Sequence, residues 1–283
     1  MKNTPDTGSS VHGPPVCHAG PEQESLVICV LASGSKGNAI YVASGDTAVL
    51  FDAGLSGIKI ERLMKQRGIS PDNLDALVVS HEHSDHVSGI GVLARRYRLP
   101  VYINPGTQKA VSKYLGRIDA FCSFECGTAF FINDLAIHPF SVSHDAAEPA
   151  GFTIKNSAGK IGIATDLGFA PAMVRQHLKD CNLLVLEANH DIEMLEQGPY
   201  PWPTKQRVKS RTGHLSNEAA RDLLIQVHHE NLRHVILAHI SETNNTPEKA
   251  LSVVSGPVNG RGPSFSAAGQ HVCGELIRVT PGG

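Results

Sequence analysis

Four side chains able to hold a metal ion stand within six residues. The stretch Ser80-His81-Glu82-His83-Ser84-Asp85-His86-Val87-Ser88-Gly89 reads His-x-His-x-Asp-His. The apolar run Leu77-Val78-Val79 just before it, bounded upstream by Pro71-Asp72-Asn73, predicts a buried strand that ends where the cluster begins. Chain leaving a strand can aim several side chains at one spot, which a regular strand cannot. His81 and His83, two apart, project together from an extended segment. Asp85 and His86, past a bend, face a second point, and a helix is expected to start near Val87. This is a layout for two neighbouring cations, each needing imidazole and carboxylate ligands.

The same pattern recurs along the chain. His144 follows the strand-like run Leu135-Ala136-Ile137-His138-Pro139-Phe140, and Asp166 follows Ile161-Gly162-Ile163-Ala164. Glu187-Ala188-Asn189-His190-Asp191 ends the apolar run from Leu183, and His239-Ile240-Ser241 ends the run His234-Val235-Ile236-Leu237-Ala238. Taken singly, His144 is an ordinary loop histidine and Asp166 a turn or helix-capping aspartate. Their repetition after buried strands is the argument: one end of a sheet structure is furnished with ligands from many strands. An aspartate there could touch both cations, and two cations that share a carboxylate also share and acidify a water, giving hydroxide near neutral pH.

The elements that must position these groups are legible in outline. Leu26-Val27-Ile28-Cys29-Val30-Leu31 predicts a buried strand. A Gly/Ser loop, Ser33-Gly34-Ser35-Lys36-Gly37-Asn38, leads to a hairpin of Ile40-Tyr41-Val42 and Ala48-Val49-Leu50-Phe51. The small residues and free N–H groups of that loop, with Lys36, suit an anion, although the Gly-Lys-Ser/Thr ending of a P-loop is absent, and a tight turn with no ligand fits the same residues. Residues 56–67, 90–99 and 105–115 read as helices. Ser216 is a candidate N-cap, and Thr246-Pro247 opens another helix. Residues 1–24, rich in Pro, Gly, Ser and Thr, are expected to be a disordered leader to a single domain over 25–283.

Composition limits the readings. A chain of 283 residues with 41% apolar and 18% charged residues suits one large α/β domain. The net charge of −2 advertises neither nucleic acid nor membrane, so any polyanion site must be local. The six cysteines contain no Cys-x-x-Cys pair, and no apolar run reaches the length of a membrane span. A cytoplasmic protein is the expectation.

The cluster at 81–86 resembles the signature of the metallo-β-lactamase superfamily. The resemblance implies a four-layer αββα sandwich with metals at one end of two facing sheets. Carried over position by position, it implies His81, His83 and His144 on a first metal, Asp85, His86 and His239 on a second, and Asp166 bridging. It further implies that Asp52 bonds a metal-bound histidine and that Asp85, Glu187 and His214 serve catalysis. The cofactor would be two divalent ions, Zn²⁺, Mn²⁺ or Fe²⁺.

Leu186-Glu187-Ala188 and Gly213-His214-Leu215-Ser216 resemble the phosphodiesterase branch of that superfamily. The whole set, with Leu31 to Asn38 and Asn244-Asn245, looks like the bacterial YycJ/WalJ group. That likeness implies a 5′-to-3′ exonuclease acting on nucleic acid, DNA in preference to RNA. Ser35, Lys36 and Asn38 and the basic run Lys205, Arg207, Lys209 and Arg211 are then candidates to hold the substrate backbone. With aromatic content of 5%, few base-stacking platforms are expected. The competing readings are a thioesterase or lactonase of the same fold, and a non-catalytic metal-binding regulatory partner.

Overall fold

The computed structural model describes residues 25–258 and 262–281. The expected leader, with Cys17 and His18, lies outside them. Two seven-stranded sheets face each other. The first is built from β1 (Leu26–Ala32), β2 (Ala39–Ser44), β3 (Thr47–Phe51), β4 (Ala76–Val78), β5 (Val101–Ile103), β6 (Phe121–Ser123) and, at its far edge, β14 (Ile277–Val279). The second holds β7 (Phe130–Ile132), β8 (Leu135–Ser141), β9 (Ala150–Lys155), β10 (Lys160–Ala164), β11 (Leu183–Glu187), β12 (His234–Ala238) and the edge strand β13 (Ser264–Ala267).

The continuous apolar runs have a structural reason. Side chains alternate across a strand, so a strand covered on both faces must be apolar throughout. In β1, Leu26, Ile28 and Val30 enter the core between the sheets, while Cys29 and Leu31 enter a second core beneath the outer helices. In β11, Leu183 and Val185 face the shared core, and Leu184 and Leu186 face a third apolar layer. Three apolar layers between four layers of structure make the αββα sandwich. Phe152 and Phe51 meet at its centre, ring centroids 5.2 Å apart. Truncating either to alanine would cost about 3–5 kcal/mol.

Helices α1 (Gly57–Gln66) and α3 (Ile90–Tyr97) cover the first sheet, with the four-residue α2 (Ser84–Val87) and α4 (Pro105–Val111) at its end. The second sheet carries α5 (Ala172–Leu178), α6 (Ile192–Gln197), α7 (Trp202–Val208), α8 (Asn217–Val227) and α9 (Pro247–Ser255). Ser216 caps α8 by accepting from Ala219 N, as the sequence predicts. Two boundaries differ from expectation. Helix begins at Ser84 rather than near Val87, and α4 stops at Val111 rather than Leu115. Among the described residues, no helix is long and apolar enough to cross a membrane.

Strand direction makes one end special. β3, β4 and β5 are parallel neighbours, as are β10, β11 and β12, and β8 runs with them through two antiparallel steps. Everything that follows a carboxyl end of these strands therefore emerges together, where ligands gather in α/β sheets generally.

Candidate metal centre

The residues after β3, β4, β8, β10, β11 and β12 converge, and the backbone turns sharply to let them. Asp52, Asp166 and His239 each follow a strand with positive φ, 58°, 58° and 55°. Each costs of order 1–3 kcal/mol for a residue with a side chain, so the surrounding structure must hold it. Gly54 shows how tight the holding is. A Cβ there would sit 1.6 Å from the Asp85 carbonyl oxygen. Ala53 N donates to His86 O, Gly89 N to Ala53 O and Asn38 N to Asp85 O, all at 2.7–2.8 Å, so three loops are stitched into one platform.

Hydrogen bonds behind the imidazoles fix which nitrogen faces inward. Ser80 Oγ donates to Asp52 Oδ2 at 2.8 Å, so it accepts from His81 Nδ1 at 2.9 Å. His86 Nδ1 donates to Asp52 at 2.7 Å, His144 Nδ1 to the Gly213 carbonyl at 3.1 Å and His239 Nδ1 to Glu187 at 2.8 Å. Each of these four rings, when neutral, therefore presents its Nε2 lone pair inward, the second-partner arrangement of ligand histidines.

Two clusters of inward atoms result. His83 Nδ1 lies 3.0 Å from His81 Nε2 and 3.2 Å from His144 Nε2. One proton or lone pair on His83 cannot serve both neighbours, whereas a cation among three nitrogens satisfies all. In the second cluster, Asp85 Oδ2 lies 3.6 Å from His86 Nε2 and 3.7 Å from His239 Nε2. Asp166 lies between the clusters, with Oδ1 4.0 Å from His144 Nε2 and Oδ2 3.5 Å from His86 Nε2. Asp166 Oδ2 and His239 Nε2 are buried without a hydrogen-bond partner. Such atoms are rare in folded proteins, and an ion is a standard explanation. The seven side chains fit two divalent cations.

The charges are unevenly spread. Burial pushes His81 well below its ordinary value and lowers His144 as well. Burial opposes charge on His86 too, but Asp166 and Asp52 outweigh it and hold this ring well above its ordinary value. His239 is likewise pushed up to about 10, as Asp166, Asp85 and Glu187 overcome burial. Asp166 stays well below the usual carboxylate range despite burial, because His239 and His86 face it.

Glu187 is fully buried and saturated. Its Oε1 accepts from His214 Nδ1 and His239 Nδ1, both at 2.8 Å, and its Oε2 from Leu167 N and Leu215 N at 3.0 and 3.1 Å. Burial works against its charge, but His214 and His239 bring it down to about 2. Glu187 is thus a positioning residue, and His214, with Nδ1 occupied, has Nε2 left for the cavity. That cavity, about 290 Å³, is lined by Ser35, His83, Asp85, Asp166, Arg207 and His214 among others.

Most sequence-predicted site residues meet here, with exceptions. The Gly/Ser loop closes as a turn that spends most of its backbone donors on itself and Gln270, leaving Ser35 at the cavity wall. Gly34 N bonds Asn38 Oδ1, Lys36 N bonds Gln270 Oε1, and Gly37 N bonds Gly34 O. Asn38 is 5% exposed and clasps Gly34, accepting from its N at 2.9 Å and donating to its O at 3.1 Å, so it braces the loop rather than lining the cavity. Lys36 pairs with Glu242 at 2.5 Å.

The basic run splits because α7 sends its residues to different faces. Lys205 and Lys209, four apart, both clasp Glu196. Arg211 stacks over Phe169 at 3.7 Å. Only Arg207 of the run lines the cavity, paired with Asp145 at 2.9 Å. Sequence reasoning missed Ser80 as a relay between Asp52 and His81. A hydroxyl directly before the first histidine was its one signal.

Comparison with known proteins places the chain. The profile of the β-lactamase superfamily domain matches residues 47–240. The exodeoxyribonuclease YycJ of Bacillus anthracis is 42% identical over 232 residues, 81% of this chain and 88% of that protein. The exodeoxyribonuclease WalJ of Streptococcus pneumoniae is 39% identical over 225 residues, 78% of this chain and 84% of that protein. Among solved structures, the metallo-β-lactamase fold protein YhfI from Bacillus subtilis superposes with a TM-score of 0.72 at 16% identity, covering 90% of this chain and 100% of that one.

Proposed function

The chain belongs to the β-lactamase superfamily, and from that membership we propose that it is a dinuclear-metal phosphodiesterase, a nuclease that removes nucleotides from the 5′ ends of DNA. The single observation that carries this reading over other hydrolyses is the Glu187–His214 pair beside the two ligand clusters. A saturated carboxylate fixes His214 so that its free nitrogen faces the cavity, where it can hydrogen-bond or protonate a departing oxygen. The names of the relatives, exodeoxyribonucleases over most of their length, support DNA as the polymer.

His81, His83 and His144 would hold one ion, Asp85, His86 and His239 the other, with Asp166 touching both. When bound, such ions acidify water and draw charge from a phosphoryl oxygen. The protein's own contributions are separate. Asp52, Ser80, Gly213 O and Glu187 keep the rings aimed. Ser35 and Arg207 at the cavity wall can meet phosphate oxygens, Arg207 by exchanging its Asp145 partner. Imidazole with carboxylate suits Zn²⁺, Mn²⁺ and Fe²⁺ alike. Cys29 and Cys273, unbonded with sulfurs 3.9 Å apart, support work in the reducing cytoplasm.

The test is hydrolysis of bis-p-nitrophenyl phosphate and of end-labelled single- and double-stranded DNA and RNA with each metal, beside an acyl thioester. Loss of label from 5′-labelled DNA is expected. Thioester turnover without phosphodiester turnover overturns the reading.

A further inference from the structure

A second cavity, about 360 Å³, opens beside the metal centre and is lined by Glu82, Ser84, Val87, Val92, Arg95 and Tyr114 among others. Its size falls in the range of about 300–1,000 Å³ of small-molecule sites. We propose that this cavity receives a nucleobase of the substrate strand, stacked on Tyr114, while the adjoining phosphodiester lies at the metal centre. The proposal rests on the nuclease reading and adds a base-binding site to it.

Three observations carry it. The first is continuity. Ser84 lines both cavities, and β4 and β5 are parallel neighbours, so the chain after each leaves the sheet at the same end. Within α2, Asp85 lies at the metal-side cavity while Ser84 and Val87 wall the second one. Adjacent residues of one helical turn thus wall both cavities, so one nucleotide can present its phosphate to one and its base to the other.

The second observation is the wall. Tyr114 is 83% exposed and Val92 39% exposed, an aromatic and an aliphatic surface left open at the mouth. Arg95 is anchored at the wall, its Nη1 donating to the carbonyls of Leu115 at 2.7 Å and Arg117 at 3.2 Å. A ring and a fixed guanidinium plane are what a base stacks on.

The third is charge. Glu82 spends Oε1 on Ala147 N at 2.7 Å, and its Oε2 is buried with no partner. This carboxylate offsets the charge of Arg95 on the same wall, so the cavity carries no net positive charge to draw in a phosphate.

The experiment compares single-stranded DNA carrying a base at every position with the same strand made abasic at its terminal nucleotides. The ratio of kcat/KM for natural over abasic strand should be about ten in the natural protein, the value of roughly one stacked base. It should fall toward one in Tyr114→Ala and return in Tyr114→Phe. A binding readout accompanies it: 2-aminopurine at the terminus of a strand with non-hydrolysable terminal linkages should be quenched by the natural protein and remain bright with Tyr114→Ala. A natural protein that cuts both strands equally, or an unchanged ratio in Tyr114→Ala, overturns the base site and leaves the nuclease reading standing. A protein that splits no phosphodiester removes both. Self-association lost in Tyr114→Ala with the ratio unchanged assigns the surface to a second copy instead, and also overturns the proposal.

Discussion

The two ligand clusters that meet at Asp166 are braced in opposite ways. The first, His81, His83 and His144, is backed by neutral groups, the Ser80 hydroxyl and the Gly213 carbonyl. The second, Asp85, His86 and His239, is backed by buried carboxylates, Asp52 and Glu187. The first keeps His81 and His144 neutral through burial, whereas the second holds His86 and His239 charged against the same burial. Equal numbers of side chains thus make unequal sites. The carboxylate-backed one carries more negative charge and more basic rings, so it should hold a cation more tightly once its protons are displaced. The neutral one should be the more exchangeable, and it is the one that Arg207 approaches, through Asp145 beside His144.

The largest expected effect removes what the two clusters share. Asp166→Ala should lose at least one metal per chain, and phosphodiester turnover should fall to background, read by elemental analysis beside bis-p-nitrophenyl phosphate hydrolysis. Full occupancy with normal turnover would show that the clusters work independently. Next comes His214→Ala, which keeps both clusters intact. Metal content should stay as it was while DNA cleavage slows by about 10²–10⁴, the usual contribution of a positioned acid. Unaltered kinetics would take His214 out of the chemistry.

A third pair tests the inequality itself. Asp52→Asn keeps a hydrogen-bond acceptor for His86 but removes the charge, and asparagine tolerates the positive φ at that position. Metal affinity, measured by chelator competition, should drop about 10- to 100-fold. Ser80→Ala removes the neutral partner of His81 and one donor to Asp52 but leaves the Asp52 charge in place, and should cost less than Asp52→Asn. Equal losses would erase the distinction between a charged and a neutral backing.

How much of this was legible in the sequence follows from the range of each interaction. His-x-His-x-Asp-His is local, and the apolar runs that end at Asp166, Glu187 and His239 are buried on both faces, so spacing alone exposes them. The start of α2 was missed because four residues cannot display a helical period. Between an anion loop and a plain turn at Ser33 to Asn38 the sequence does not choose, because the acceptor for Lys36 N is Gln270, 234 residues away. Edge strand β13, half-exposed and short, carries no apolar run. The sides taken by the basic residues depended on Glu196 and Asp145, which no periodicity reveals.

The basic run supplies the smallest prediction and extends the comparison to the rim. Arg207 reaches the exchangeable cluster through Asp145, whose Oδ1 lies 3.4 Å from His144 Nε2. Lys205 and Lys209 are committed to Glu196 on another face. If substrate enters over the neutral cluster, one cation should count and two should not. Arg207→Ala should lower kcat/KM for DNA severalfold and reduce the slope of log affinity against log salt by about one, the signature of one phosphate contact. Replacing Lys205 and Lys209 together should change either quantity by less than about twofold, the small effect expected where exposed ion pairs touch no substrate. A double lysine variant that loses more than Arg207→Ala would move the strand's path across the outer face of α7. The neutral cluster would then no longer be the one that substrate meets first.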